Sequence, residues 1–289
     1  MAITAAMVKE LRERTGLGMM DCKRALEATA GDLEQAIEEL RKSSALKAAK
    51  KSGRTTADGL LAIKVADDGS RGAIVEVNIE TDFAAKNEKF IAFVDKVLNQ
   101  VFAAGNSDIQ ALLDAGLEAE RETLVQEIGE NITIRRAEVV NSDNGGVASY
   151  LHGDSRKGAL VELSGQAPEF GRDVAMHVTA LNPMVVASAQ VPAELLDKER
   201  EIYTTQANDS GKPADIIAKM VEGRIKKFLA EVSLVDQPFV KDDKQKVGAL
   251  AKAAGVDVLK FVRFEVGEGI EKDDTDFAAE VAAQLGGGD

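Results

Sequence analysis

Imidazole and thiol side chains are few: two histidines, His152 and His177, and one cysteine, Cys22, in 289 residues. The histidines lie 25 positions apart and Cys22 stands alone, so no spacing resembles a zinc site and no metal is expected. Nucleotide loops are missing too. Ser210-Gly211-Lys212-Pro213 lacks both the leading glycine and the hydroxyl of a phosphate-binding loop, and Gly267-Glu268-Gly269 has no third glycine. One enzymatic arrangement can be written down. Gly153-Asp154-Ser155 could present a nucleophilic serine with His177 as its base. The competing reading of the same residues is a charged β-turn over 153–157, with His177 a satisfied residue of an apolar helix.

A different kind of chemistry, the gripping of another macromolecule, is offered by Glu76-Val77-Asn78-Ile79-Glu80-Thr81-Asp82-Phe83-Ala84-Ala85-Lys86. Here a strand ends in a polar turn. Thr81 or Asp82 can cap the following helix by accepting backbone N–H bonds. Phe83 then falls in the first helical turn. It either folds back onto the sheet or stands out as an aromatic anchor on a rigid strand–helix corner, a form suited to a partner's pocket.

The elements that must hold this corner follow from periodicity. Residues 4–42 read as three short helices marked by Val8 and Leu11, by Met19, Cys22 and Leu26, and by Leu33, Ala36, Ile37 and Leu40, with Asp32 capping the third. The stretch 41–54 carries Arg41, Lys42, Lys47, Lys50, Lys51 and Arg54 and no acid. It reads as a solvated linker, helical over 45–51 and broken at Ser52-Gly53, or else as a patch for RNA. Leu60–Val65 and Gly72–Val77, joined by a turn over 67–70, read as a hairpin. A helix follows with Phe90, Ile91, Val94, Val97 and Leu98 inward, then more helix over 108–128 and a strand over 132–140. The pattern then recurs. Gly158-Ala159-Leu160-Val161-Glu162-Leu163 aligns with Gly72-Ala73-Ile74-Val75-Glu76-Val77, and a helix again follows around Val174, Ala175, His177 and Val178. Two copies of one α+β unit are expected, each a hairpin covered by helices, with 259–266 as the second copy's third strand. Between the second copy's helix and its last strand, 192–208 and 214–232 form an inserted helical hairpin, with Leu195, Glu199 and Ile202 on one stripe and Ile217, Met220, Val221, Ile225, Phe228 and Val232 on the other. A short helix over 275–285 closes the chain.

The fold class is therefore α+β: a three-helix module, a core of two repeated subdomains with small antiparallel sheets, an inserted hairpin and a C-terminal helix. The expected divisions are 1–54, 55–144, 145–269 with the hairpin at 190–233, and 270–289.

Composition narrows the function. Aromatics are 4% and Trp is absent, so the cores must be built from Ala, Val, Leu and Ile. The net charge of −13 argues against broad nucleic-acid binding, which needs Lys and Arg to neutralise phosphates. Residues 1–54 run against this trend with 11 Lys+Arg and 8 Asp+Glu. The N-terminus has no secretory pattern and no apolar run reaches membrane-spanning length, so a cytoplasmic protein without membrane contact is expected.

In two stretches the sequence closely resembles bacterial translation elongation factor Ts. One is Leu11-Arg12-Glu13-Arg14-Thr15-Gly16-Leu17-Gly18-Met19-Met20-Asp21-Cys22-Lys23-Arg24-Ala25-Leu26, the other Glu76-Val77-Asn78 through Thr81-Asp82-Phe83 to Lys86. His152-Gly153, Ala175-Met176-His177-Val178, Gln237-Pro238-Phe239-Val240-Lys241 and Arg263-Phe264-Glu265-Val266-Gly267-Glu268-Gly269-Ile270 extend the likeness in order along the chain. Ile79 and Ala84 depart from it, standing where a smaller residue and a Val are usual. The resemblance implies a ubiquitin-associated-like N-terminal module and the function of a guanine-nucleotide exchange factor. Such a factor binds the GDP form of elongation factor Tu, speeds GDP release and leaves when GTP binds, with no cofactor and no active site of its own. It implies that Thr81, Asp82 and Phe83 wedge into the GTP-binding domain near its metal and phosphate site. Arg12, Met19 and Met20 would contact the same domain, His152 would make a further contact, and Phe277 in the C-terminal helix would either contact the partner or pack in the core. Some members of the family self-associate. The inserted hairpin is left open between Tu, a second copy and neither.

Overall fold

The computed structural model describes residues 3–208 and 212–271. The expected C-terminal helix with Phe277, and residues 209–211 of the inserted turn, lie outside them.

Three helices come first: α1 (Ala5–Thr15), α2 (Met19–Ala28) and α3 (Leu33–Lys51). Val8, Leu11, Leu17, Cys22, Leu26, Ala36 and Leu40 interlock at their centre. Thr4 and Asp32 cap α1 and α3, the Asp32 carboxylate accepting from the Gln35 amide at 2.9 Å. α3 does not give way to a solvated linker at 41. It continues to Lys51, because Ser44 and Ala48 extend its buried face onto the core. Its cations are largely engaged: Lys42 with Glu38 and Glu39 at 3.0 and 3.2 Å, Lys47 with Asp21 at 3.7 Å, and Lys51 with the Gly129 carbonyl. Arg54, just beyond the helix, pairs with Glu80 at 3.4 Å.

The core begins with β1 (Asp58–Val65) and β2 (Arg71–Ile79), then α4 (Asp82–Ala85) and α5 (Glu88–Ala104). α6 (Ile109–Leu112) runs through a π-turn kinked at Gly116 into α7 (Glu118–Ile128), and β3 (Ile132–Asn141) returns to pair with β2. The second copy has β4 (Gly146–Leu151), β5 (Lys157–Leu163) and α8 (Pro168–Leu181). After it come the inserted α9 (Ala193–Asn208) and α10 (Ala214–Val232), a ribbon of β6 (Pro238–Phe239) and β7 (Asp242–Lys246), α11 (Val247–Ala253) and β8 (Val258–Glu265). The two main sheets have the antiparallel orders β1-β2-β3 and β4-β5-β8. Each carries a bulge at the same aligned place, between Glu76 and Val77 in one and Glu162 and Leu163 in the other.

The sheets stack on each other. Alternation along β2 turns Ala73, Val75, Val77 and Ile79 toward α5, and Ile74 toward the second sheet. On β5, Ala159, Val161 and Leu163 meet α8, while Leu160 joins Ile74, Leu61, Val140, Val147 and Phe264 between the sheets. The order of layers is helix, sheet, sheet, helix, so the central strands are apolar on both faces. Two details differ from the periodic reading. On α5 it is Phe93, not Ile91, that is buried, and α9 meets α10 through Leu196, Tyr203 and Ala207 while Ile202 faces outward.

Candidate functional site

β2 delivers the chain to the rim of the core and Thr81 turns it. Thr81 is the N-cap of α4, with an extended backbone (φ −126°, ψ 154°), and its hydroxyl oxygen accepts from the Ala84 amide at 3.2 Å. The same hydroxyl donates to Glu130 Oε1 at 2.8 Å, and the Thr81 amide donates to Glu130 Oε2 at 2.9 Å. One residue earlier, the Glu80 carboxylate accepts from the Asn131 amide at 2.6 Å. Ala85 is buried and seats the far end of α4 in the core. The corner is thus held on three sides.

Phe83 is not folded back onto the sheet; it is 80% exposed. The Lys86 ammonium lies 5.4 Å from its ring centroid and also pairs with Asp82 at 2.9 Å. That hydrogen bond, helped by the charge of Arg156, holds the Asp82 carboxyl below its ordinary pKa, so it is ionised at neutral pH. An exposed ion pair of this kind contributes little to stability and is readily exchanged for other contacts.

Arg156 belongs to the β4–β5 turn, which abuts this rim. The Leu61 amide donates to the Ser155 carbonyl at 2.8 Å, and Arg156 pairs with Asp58 at 2.7 Å. Asp58 faces Ile79 in the β1–β2 register. His152, exposed at the start of the turn with Nδ1 3.3 Å from the Tyr150 hydroxyl, is therefore brought to the same end of the core as Asp82 and Phe83.

Arg12, Met19 and Met20 form a second patch. With Ile3, Val8 and Lys23 they line one groove on the three-helix unit, and Met19 and Met20 are 60% and 63% exposed at the start of α2. Unbranched thioethers at such a surface suit an adaptable contact. The structure groups the seven candidates into a rim cluster and a groove, not one site.

The hydrolase geometry is absent. Ser155 sits in the left-handed region (φ +55°) of the β4–β5 turn. His177 is buried, its Nδ1 accepting from the Val240 amide at 3.1 Å, so that its Nε2 carries the proton and donates to Gln237 Oε1 at 2.9 Å. Burial pushes its pKa down. No group of three His, Cys, Asp or Glu side chains is placed to hold a metal ion among the described residues.

Glu130 and Arg156 escaped the reading of the sequence. A signal for Glu130 existed in the strand register: Ile79 faces Ile132 and Asn78 faces Thr133, so continuing two steps past Ile79 sets Thr81 opposite Glu130.

The family model described as Elongation factor TS matches residues 80–268. A protein of Hahella chejuensis named Elongation factor Ts is 57% identical over 286 residues, covering 99% of both chains. Its namesake in Saccharophagus degradans is 57% identical over 285 residues, 99% of this chain and 98% of the other. The one in Methylococcus capsulatus is 53% identical over 291 residues, 99% of each. With likeness of this depth running from end to end, the chain belongs to the elongation factor Ts family.

Proposed function

We infer that the chain is the guanine-nucleotide exchange factor of elongation factor Tu in translation elongation. It binds the Tu–GDP complex, promotes GDP release and dissociates when GTP binds. The observation that carries the reading is Phe83, an exposed aromatic on a corner braced by Glu130, Glu80 and Ala85. Its action is binding, not covalent chemistry. If the chain holds nucleotide-free Tu more tightly than Tu–GDP, it weakens GDP by the same factor, because coupling between two ligands is reciprocal. Each tenfold gain in release rate needs about 1.4 kcal/mol of barrier lowering. A buried aromatic anchor contributes about 2 kcal/mol or more.

In this mechanism Phe83 parts two helices of the GTP-binding domain. Asp82, ionised and only loosely paired, disturbs the polar contacts that hold the metal. Thr81 aims both. Arg12, Met19 and Met20 grip the same domain, and His152 adds a contact beside the wedge. The working division is 1–54 for the gripping module, 55–144 and 145–269 for the core subdomains with the hairpin at 190–233, and 270–289 for the C-terminal element. Direct nucleic-acid contact has no part in it, since a net charge of −13 opposes a phosphate backbone. Self-association is not required, because every contact named lies on one chain. The site of action is that of its partner, the cytoplasm.

The test is a titration of the chain onto purified Tu with and without saturating GDP. GDP is expected to weaken the chain's affinity by the factor through which the chain weakens GDP. An affinity indifferent to GDP would sink the reading.

A further inference from the structure

α4 has four residues, far fewer than a helix needs to stand alone in water. The direction in which it points Phe83 must come from its attachments. At its far end the attachment is buried Ala85; at its start it is the Thr81 cap. A threonine hydroxyl has one hydrogen, free to rotate, and two lone pairs. If that hydrogen turned toward Ala84, two donors would face each other and the cap would be lost. Glu130 removes the ambiguity. Its Oε1 takes the hydroxyl hydrogen at 2.8 Å, which leaves a lone pair for the Ala84 amide at 3.2 Å. Its Oε2 takes the Thr81 amide at 2.9 Å and fixes the backbone from which the hydroxyl hangs.

Both neighbours of Glu130 are committed as well. The Gly129 carbonyl accepts from Lys51 at the end of α3. The Asn131 amide donates to Glu80, and its side chain donates to the Ser52 and Arg54 carbonyls at 3.4 and 3.1 Å. Residues 129–131 thus clasp the root of the wedge on one side and the exit of the three-helix unit on the other.

We propose that Glu130 is a positioning residue for nucleotide exchange, acting through the Thr81 cap to aim Phe83. The proposal rests on the wedge reading of Phe83. It predicts a loss of maximal rate more than of docking, because Glu130 lies behind the wedge and not on its face.

The test is a double-mutant cycle on the full chain, read as the maximal rate of fluorescent GDP release from Tu at saturating exchange factor, with thermal melts alongside. Glu130→Ala is expected to lower the maximal rate about tenfold, roughly the effect of one lost hydrogen bond, while the half-saturating concentration changes far less. Glu130→Gln keeps the size and one acceptor and should fall between. In a Phe83→Ala background, Glu130→Ala should add less than about twofold, since there is no ring left to aim. A Glu130→Ala chain as fast as the natural one overturns the proposal, as do losses that multiply in the double variant. Should Glu130→Ala fail to fold, the same comparison made with Glu130→Gln decides. If instead Phe83→Ala alone is as fast as the natural chain, the wedge reading itself has failed and takes the proposal with it.

Discussion

Glu76 is a carboxylate with 0% exposure between two sheets, and its removal should cost the molecule more than almost any surface change. It accepts from Arg135 Nη1 at 3.0 Å, Arg136 Nε at 2.5 Å and the Gly267 amide at 2.9 Å. Arg136 reaches on to the Glu265 carbonyl at 3.0 Å and lies 4.1 Å over the Phe264 ring. One side chain of the first repeat thus ties its own β3 to the end of β8 in the second. Breaking a buried pair by removing one partner typically costs about 3–5 kcal/mol. The two arginines are 26% and 30% exposed and can turn to water, so the lower end, about 3 kcal/mol, is expected for Glu76→Ala. At about 2–4 °C per kcal/mol for a protein of 150–250 residues, the melting temperature should fall by several degrees. Glu76→Gln, which keeps the shape and loses the charge, should fall by less. Burial raises the carboxyl's pKa, but the Gly267 amide and both guanidinium groups outweigh it and leave the net shift downward from 4.5. The folded pKa being the lower one, the contribution is complete above about pH 4.5 and is lost as pH falls through the folded value. Scanning calorimetry at pH 7 and pH 3.5 reads both effects. The reasoning is refuted if Glu76→Ala melts within a degree of the natural chain at pH 7, or if its deficit grows at low pH.

Other expectations follow from the same packing. Phe90→Ala empties the centre of the first core and should cost about 3–5 kcal/mol in denaturant unfolding. Neutral His177 sets a second pH dependence. Its folded pKa is lowered by burial, so the stability it supplies is complete above about pH 6.5 and declines as pH falls toward the folded value. A His177→Gln variant should show a flatter melting temperature between pH 7.5 and 5.5. Asp32→Ala removes the α3 cap and should cost about 1 kcal/mol, visible as faster hydrogen exchange in the first turn of that helix.

Much of this architecture could be read from the residues, and the exceptions have physical causes. The aligned runs Ala73-Ile74-Val75 and Ala159-Leu160-Val161 exposed the repeat because strands covered on both faces lose polar alternation. What covers the second face was not read from the sequence: it is the other sheet. The glycines heading each run carried that information. A Cβ on Gly72 would stand 2.7 Å from Val147 Cγ1, and one on Gly158 would stand 2.8 Å from Ile63 Cδ1, so the sheets need bare backbone there. Ile91 and Phe93 exchanged places because both lie near the edge of one apolar stripe, where a 3.6-residue period does not choose between them. The basic run at 41–54 looked solvated since two of its acidic partners, Asp21 and Glu80, come from other elements. The exposure of Phe83 was open between two readings, as a capping pattern fixes where a helix starts but not which way its first turn faces. Membership in the family was legible from Thr81-Asp82-Phe83 and the Met19-Met20 segment. The carboxylate that braces Thr81 was not, because Glu130 is 49 residues from Thr81 and meets it only through strand register.

In the proposed mechanism this chain opens the nucleotide site of elongation factor Tu with Phe83. Release of fluorescent GDP from purified Tu, followed in stopped flow with the natural chain and with Phe83→Ala, tests it most directly. Because the ring is 80% exposed, the variant should fold and melt like the natural chain, within about 0.5 kcal/mol. Many-fold faster release is expected with the natural chain and a much smaller acceleration with the variant. Equal acceleration by both would show that Phe83 is not the wedge, and no acceleration by the natural chain would contradict the exchange function itself.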